Sequence, residues 1–192
     1  MPITPAKLRF MPVVIALLRA VNVGGTGKIP MAELRTLFES LKYQDVRTFI
    51  QTGNVIFRTP EEDFAKLARK LENAIEKRFG FRTVVILRTP AELRDLISRN
   101  PFENREGILP SKLLVVLLES QPDVECCAKL NAIKMDPEEL MISGRELFIY
   151  YPNGMARPSF SQSAFDRAMK IPGTGRNWNS VNKLLALAEE LE

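Results

Sequence analysis

Strand-like and helix-like segments alternate over the first hundred residues in an order that restricts the fold. Short apolar runs are typical of buried strands, while apolar residues spaced three and four apart predict helices. The segments are, in chain order, a strand over 13–18, a helix over 30–41, strands over 46–51 and 54–58, a helix over 59–80 and a strand over 83–87. This βαββαβ order predicts a ferredoxin-like plait, an α+β fold whose strands lie in the order 4-1-3-2 across one sheet.

The second half of the chain repeats this order less clearly. Its predicted segments are strands over 113–118, 140–143 and 147–151 and helices over 124–133, 163–169 and 180–191. This βαββα order indicates a second, plait-like α+β half, but the identity between the halves is too faint to establish a duplication. We expect an extension at 1–10 and domains at 11–100 and 108–192, separated by a polar connection rich in turn formers.

Two polar loops are predicted to meet in the first half. Asn22-Val23-Gly24-Gly25 follows the first strand, and Gln51-Thr52-Gly53-Asn54 joins the second strand to the third. Strands one and three are antiparallel neighbours in a plait, so the end of one lies beside the start of the other. The first helix begins at the same end, where its free N–H groups and dipole favour an anion, and Lys28 adds a positive charge.

Each of these residues also has a purely structural explanation. Glycine and asparagine are common wherever a chain turns sharply, because both tolerate left-handed backbone conformations. The stretch before Lys28 lacks the first glycine of a phosphate-binding P-loop, and Ile29 stands where a magnesium-binding Ser or Thr would be. Pro30 occupies the third glycine position of the dinucleotide-binding fingerprint. The predicted site therefore depends on the convergence of two loops.

A third polar cluster, Arg176-Asn177-Trp178-Asn179, precedes the last predicted helix. In the favoured interpretation Asn179 or Ser180 caps that helix, and Trp178 anchors it against the core. The alternative is a platform on which Trp178 stacks with a base or another ring while Arg176 meets a phosphate.

Histidine is absent from the chain, and this excludes several classes of site. It removes the Ser-His-Asp and Cys-His arrangements, histidine-based zinc sites and the commonest general base. The two cysteines, Cys126 and Cys127, are adjacent in a helical segment, where neighbouring side chains diverge, so neither a disulfide nor a cysteine metal site is expected. We expect no metal and no cofactor.

The charge and the longest apolar runs bear on partners and location. Residues 1–90 carry 15 Lys and Arg against 8 Asp and Glu, while residues 91–192 carry 12 against 15. The basic half favours an anionic partner, although solvated helix faces explain much of this charge. No apolar run approaches the roughly 20 residues that cross a bilayer, and the N-terminus lacks the features of a secretory signal. We expect a cytoplasmic protein with no membrane partner.

Several of these segments together resemble one family. They are residues 16–25, 31–35, 48–57 and 176–181, and the likeness extends over roughly 12–188. The family is the bacterial domain-of-unknown-function family numbered 1697, and the resemblance implies a small soluble α+β protein with no established activity. Its signature residues map onto Arg19, Asn22, Gly24, Gly25, Gln51, Gly53, Asn54, Arg176, Asn177 and Trp178.

Two positions depart from the pattern of that family. Ala20 stands where the family usually has glycine, and Arg157-Pro158-Ser159-Phe160 replaces the usual Arg-Ser-Lys after the Tyr-Pro-Asn-Gly turn. A basic contact at the second place is therefore not expected in this chain.

The favoured hypothesis is a binding module for an anionic ligand, namely a nucleotide, a phosphorylated metabolite or nucleic acid. Nucleic acid is the weakest of these, because strands one and three lack an exposed aromatic pair for stacking. The alternatives are a small enzyme that acts on a phosphorylated substrate without histidine, and a protein–protein interaction or assembly unit. The sequence assigns neither a catalytic residue nor an oligomeric state. The candidate ligand-binding residues are Arg19, Asn22, Gly24, Gly25, Lys28, Gln51, Thr52, Asn54, Arg176, Asn177 and Trp178.

Overall fold

The structure is a computed structural model that describes residues 11–24 and 27–192. The predicted extension at 1–10 and the candidate residue Gly25 lie outside the described residues. Within the described residues, no helix has the length and apolar character needed to cross a membrane. No group of three or more His, Cys, Asp or Glu side chains in that part of the chain is placed to hold a metal ion.

Strands and helices alternate along the whole chain. The first half contains β1 (Val13–Leu18), α1 (Met31–Ser40), β2 (Gln44–Phe49), β3 (Asn54–Arg58), α2 (Phe64–Phe79), β4 (Val85–Arg88) and α3 (Pro90–Ser98). The second half contains β5 (Leu113–Leu118), α4 (Val124–Asn131), β6 (Glu139–Ser143), β7 (Glu146–Tyr150), α5 (Gln162–Ala168), β8 (Gly173–Asn177) and α6 (Trp178–Glu189).

Each half forms one four-stranded antiparallel sheet. The strand orders are β2-β3-β1-β4 and β6-β7-β5-β8, so both halves have the order 4-1-3-2 that the plait predicts. The two sheets also share the register of their central strands. In each, the first residue of the third strand lies opposite the next-to-last residue of the first strand, Asn54 opposite Leu17 and Glu146 opposite Leu117. The predicted α+β fold is confirmed, and the second half is a complete plait rather than a partial one.

Strand β8 is the element that the sequence did not predict. Its residues, Gly-Thr-Gly-Arg-Asn, contain no apolar side chain, so they show no strand pattern. They are held as a strand by pairing with β5, where Leu118 lies opposite Gly173. A Cβ atom on Gly173 would lie 2.8 Å from Leu118 Cδ2, so glycine permits this close approach.

Two Thr-Pro-x-Glu sequences, at 59–62 and 89–92, each predict a helix start by a capping residue, a first-turn proline and a glutamate three residues on, and they differ in their outcome. Residues 59–62 do not open α2, which begins at Phe64 with the Asp63 side chain accepting a hydrogen bond from Lys66 N at 2.9 Å. The capping box at the start of α3 is confirmed: Thr89 N donates to Glu92 Oε2 at 2.8 Å, and Glu92 N donates to Thr89 Oγ1 at 3.1 Å.

The chain divides into two compact units. The first runs to Arg94 and also includes Lys183–Glu192, and the second is Asp95–Asn182. The sequence placed the C-terminal helix wholly in the second domain. Its last turns group with the first unit because their carboxylates pair with arginines there, Glu190 with Arg47 and Glu189 with Arg94, each at 2.7 Å.

In each unit the first two helices pack on one face of the sheet, α1 and α2 in the first unit and α4 and α5 in the second. In the first unit the α2 residues Leu67, Leu71 and Ile75 recur every four positions and bury the helix against alternate residues of β1 and β3. The residues on the other face of β1, such as Ile15, are equally buried. Both central strands of this sheet are therefore closed to solvent, and exposed functional groups are found at its ends.

Candidate functional site

The two predicted loops meet at one end of the first sheet through the side chain of Asn22. Its Nδ2 donates to Gln51 O at 2.7 Å and to Ile29 O at 2.8 Å, while its Oδ1 accepts from Ile29 N at 2.9 Å. The carboxamide thus closes the loop that follows β1 and joins it to the hairpin. We call this end of the sheet, where β1 ends and β3 and β4 begin, the loop end.

The hairpin residues of the loop end are mostly structural. Gly53 O accepts a hydrogen bond from Leu18 N at 2.8 Å, and a Cβ atom on Gly53 would lie 2.8 Å from Leu18 Cβ. Asn54 is fully buried, and its Nδ2 donates to Phe49 O at 3.0 Å and to Thr52 Oγ1 at 3.1 Å. The Asn54 amide therefore braces the hairpin and does not face solvent.

A third segment, residues 80–84, completes the loop end. Thr83 Oγ1 donates to Arg19 O at 2.7 Å, and Arg19 N donates to Val84 O at 2.9 Å. The ring of Phe81 lies so close to Gly27 that a Cβ atom there would be 3.0 Å from Phe81 Cε2. Sequence reasoning missed this segment, although the plait order contains the signal: β4 is antiparallel to β1, so β4 begins where β1 ends.

Several side chains of the loop end remain open to solvent. Arg19, Lys28 and Gln51 are exposed, as is Gly24. Neither Arg19 nor Lys28 forms an ion pair or a side-chain hydrogen bond in the part of the chain that the structure describes. These two cations therefore remain available to an anion from solution.

The backbone of the loop end is strained. Three of the five non-glycine residues with positive φ in the described chain lie here: Ala20 at 52°, Asn22 at 55° and Ile50 at 47°. Asparagine tolerates this region, but a β-branched residue rarely adopts it. Ile50 also remains 44% exposed, so burial of its side chain does not account for the strained conformation.

Helix α1 begins at the loop end, and no side chain of the described residues caps it. Pro30 precedes it in an extended conformation. The side chain of proline has no atom that accepts a hydrogen bond from the first-turn amides. Glu33 in the first turn pairs with Arg78 of α2 at 3.1 Å. The helix thus presents uncapped N–H groups and the positive end of its dipole near Lys28.

A cavity of about 430 Å³ adjoins the third segment of the loop end. Thr83 and Val84 line it together with residues of α2. Among those, Glu76 accepts from Arg82 Nε at 2.8 Å, and Glu72 accepts from Val85 N at 3.0 Å. The lining of the cavity therefore carries both signs of charge.

The third predicted cluster lies in the second unit and is largely built into its fold. Arg176 is buried in β8, where its Nη1 donates to Thr174 Oγ1 at 2.7 Å and to Gly175 O at 2.8 Å. Burial lowers the pKa of Arg176 to about 10, so the side chain stays cationic at neutral pH.

The neighbouring residues of this cluster start helix α6. Asn177 Oδ1 accepts from Asn179 N at 3.0 Å, and Asn177 Nδ2 donates to Ser111 O at 2.8 Å. Asn177 is therefore the capping residue, in place of the expected Asn179 or Ser180. Trp178 is half-buried, with its ring 6.3 Å from that of Phe148, an arrangement that fits the predicted anchor.

Comparisons with known proteins identify a family and a fold. A family model described as a protein of unknown function (DUF1697) matches residues 11–148, which include the first two motifs but not the third. A solved structure of the conserved bacterial protein SP0830 from Streptococcus pneumoniae shares 22% identity, covers 93% of this chain and 99% of its own, and superimposes with a TM-score of 0.70. No curated protein matches the chain. At this identity, the likeness to the solved structure is one of fold.

Proposed function

The chain belongs to the DUF1697 family, whose function is unknown, and we propose that it binds a small phosphorylated ligand at the loop end. The observation that carries the proposal is the Asn22 bridge between the two loops. The bridge joins the end of β1 to the residues before α1, so two cations that have no ion pair within the described residues lie in one structure with the start of a helix. Such an arrangement suits the charge and the acceptor oxygens of a phosphate group.

The size and chemistry of the surroundings favour a small ligand, such as a nucleotide or a phosphorylated metabolite. The cavity beside Thr83 has a volume within the range of small-molecule sites. A nucleic-acid strand is less well supported, because plaits that bind RNA stack bases on exposed aromatic residues of the sheet. Every residue of β1 and β3 is buried here.

The proposal includes no reaction, and its setting is the cytoplasm. Both cysteines are free thiols, which agrees with a reducing compartment.

A ligand screen by thermal unfolding tests this function. The panel contains inorganic phosphate, nucleoside mono-, di- and triphosphates, sugar phosphates, and short RNA and DNA. A ligand at a hundred times its Kd stabilises the fold by about 2.7 kcal/mol, which gives a readable rise in Tm. We expect at least one phosphorylated small molecule to do so.

Charge reversal then locates the site. We expect Lys28→Glu and Arg19→Glu each to weaken binding at least tenfold, while Lys66→Glu, an exposed lysine in the first turn of α2 at the opposite end of the sheet, leaves the Kd unchanged. The proposal is overturned if the whole panel fails to stabilise the protein, or if Lys66→Glu weakens binding as much as Lys28→Glu. Binding to RNA or DNA alone, with a steep salt dependence, would replace the small ligand with a nucleic acid.

A further inference from the structure

The second unit contains a groove of about 560 Å³ between the end of α4 and helix α5. Its floor is apolar and consists largely of small side chains, namely Ala132, Ala164 and Ala168 together with Ile133. Cys126 of α4 lies beneath it and donates a weak hydrogen bond to Ala168 O at 3.4 Å, which links the two helices. The groove is thus a built feature of the packed unit.

The lengths of the helices explain why a groove exists here. Helix α5 has seven residues, whereas α2, the helix at the same place in the first unit, has sixteen. The short α5 leaves the end of α4 and the residues after it uncovered. The small alanine side chains of the floor keep the space open.

Three cations line this groove, and its lining includes no acid. Lys129 is already paired with Glu125 at 2.5 Å. Lys134 and Arg167 form no ion pair and no side-chain hydrogen bond within the described residues. Basic residues near helix C-termini complement the helix dipole, and this accounts for the presence of Lys129 and Arg167 in their last turns. It does not account for Lys134, which follows α4, or for the shared apolar floor.

We propose that this groove binds an organic anion that carries an apolar body. The guanidinium of Arg167 and the ammonium of Lys134 meet the anionic head, a carboxylate or a phosphate ester, and the alanine floor receives the apolar body. The volume is that of a small-molecule site. The groove lies in the second unit and its residues are separate from those of the loop end, so this site and the proposed function succeed or fail independently.

Titration of the intact protein, followed by the amide signals in two-dimensional NMR, tests the inference. The probes are octanoate, octyl phosphate, inorganic phosphate and octanol. We expect octanoate or octyl phosphate to shift the amides of Ala132 and Ala164, with a Kd at least tenfold below those of inorganic phosphate and octanol. The two amphiphiles distinguish a carboxylate head from a phosphate head.

Variants distinguish binding in the groove from nonspecific attraction of an anion to a basic surface. We expect Arg167→Glu and Lys134→Glu to weaken binding at least tenfold, while Lys183→Glu, an exposed lysine on α6 outside the groove, has no effect. Ala164→Leu fills the groove without a change of charge, and we expect it to abolish binding with the unfolding curve retained. The inference fails if octanol or inorganic phosphate binds as tightly as the amphiphiles, if Lys183→Glu matches Arg167→Glu, or if Ala164→Leu binds normally.

Discussion

In the first unit twelve residues connect the first strand to the first helix, 19–30, whereas five residues, 119–123, make the same connection in the second unit. The hairpins differ in the same direction, with four residues at 50–53 and two at 144–145. The additional residues of these two connections lie at one end of the first sheet. At this end the two copies of the fold therefore differ in their loops, which change more freely than the strands they join.

The backbone bonds that both units share show what the fold itself requires. Leu18 N donates to Gly53 O at 2.8 Å, and Leu118 N donates to Arg145 O at 2.9 Å, so the two sheets close in the same way. The Asn22 bridge belongs to the longer loop of the first unit, where the second unit has only residues 119–123. The second unit thus acts as an internal control: what both units have serves the plait, and what only the first has is a candidate for function.

The largest expected change in stability comes from replacing a hairpin glycine with alanine. Gly53→Ala places a Cβ atom 2.8 Å from Leu18 Cβ at a φ of 72°, and we expect a loss of about 2–4 kcal/mol from strain and overpacking. Gly144→Ala meets only the flexible end of Arg99, at 3.3 Å, and should cost about 1 kcal/mol. Urea unfolding measures both. Equal losses would mean that the longer hairpin is no more tightly packed than the short one.

Removal of the Asn22 bridge should give the next largest loss of stability. Asn22→Gly tolerates the positive φ but removes three side-chain hydrogen bonds, so we expect a loss of about 1–2 kcal/mol and faster hydrogen exchange at Ile29 N. Asn153→Gly, an exposed position in the second unit, should change stability by less than about 0.5 kcal/mol. If Ile29 N keeps its protection in Asn22→Gly, the loop does not depend on the bridge.

The sequence predicted the scaffold because its signals are redundant. Apolar periodicity, a hairpin and a capping box all indicated one order of elements, and the plait order then implied that the ends of β1 and β3 converge. The same logic applied to β4 would have found Thr83 as a neighbour of Arg19. Thr83 was therefore omitted because the plait order was not applied to β4, although the sequence contained the information.

Other features depend on tertiary pairing that no local pattern encodes. Strand β8 has no apolar residue, and only its pairing with β5 makes Thr174 and Arg176 buried residues. The sequence therefore made Arg176 a candidate ligand-binding residue, although its side chain is buried. The groove beside Arg167 depends on the length of α5, which the sequence pattern at 163–169 approximates without indicating what that length leaves uncovered.

The turn after the third strand offers a smaller contrast between the units. In the first unit Thr59 Oγ1 accepts from Glu61 N at 3.1 Å, while in the second the buried Glu138 carboxylate accepts from Ser159 N at 3.1 Å and from the Ser159 hydroxyl. Burial acts to raise the pKa of Glu138, but these hydrogen bonds outweigh it and lower the pKa below the ordinary 4.5.

This shift predicts a pH-dependent stability. A carboxylate with a lowered pKa stabilises the fold above pH 4.5, and the contribution is lost as the pH falls through the folded-state pKa. We expect Glu138→Gln to lose about 1 kcal/mol at pH 7, and to approach the parent protein in stability below pH 4. Unfolding curves from pH 3 to 8 measure this. A difference that does not vary with pH would contradict a role for the ionised carboxylate.

The smallest expected effect concerns the residue two positions after the first strand of each unit, Ala20 and Ser120. Ala20 has a φ of 52°, in the region that glycine adopts without strain. Ala20→Gly removes the strain of a left-handed conformation, about 1–2 kcal/mol, but raises the conformational entropy of the unfolded chain. We therefore expect a net gain in the free energy of unfolding of about 0.5 kcal/mol. Ser120 is not among the positive-φ residues, and Ser120→Gly should lose up to about 1 kcal/mol. If urea unfolding shows that Ala20→Gly stabilises the protein and Ser120→Gly destabilises it, the strain belongs to the long loop of the first unit alone. If both variants change the stability in the same direction, the strain originates in the plait fold that the units share.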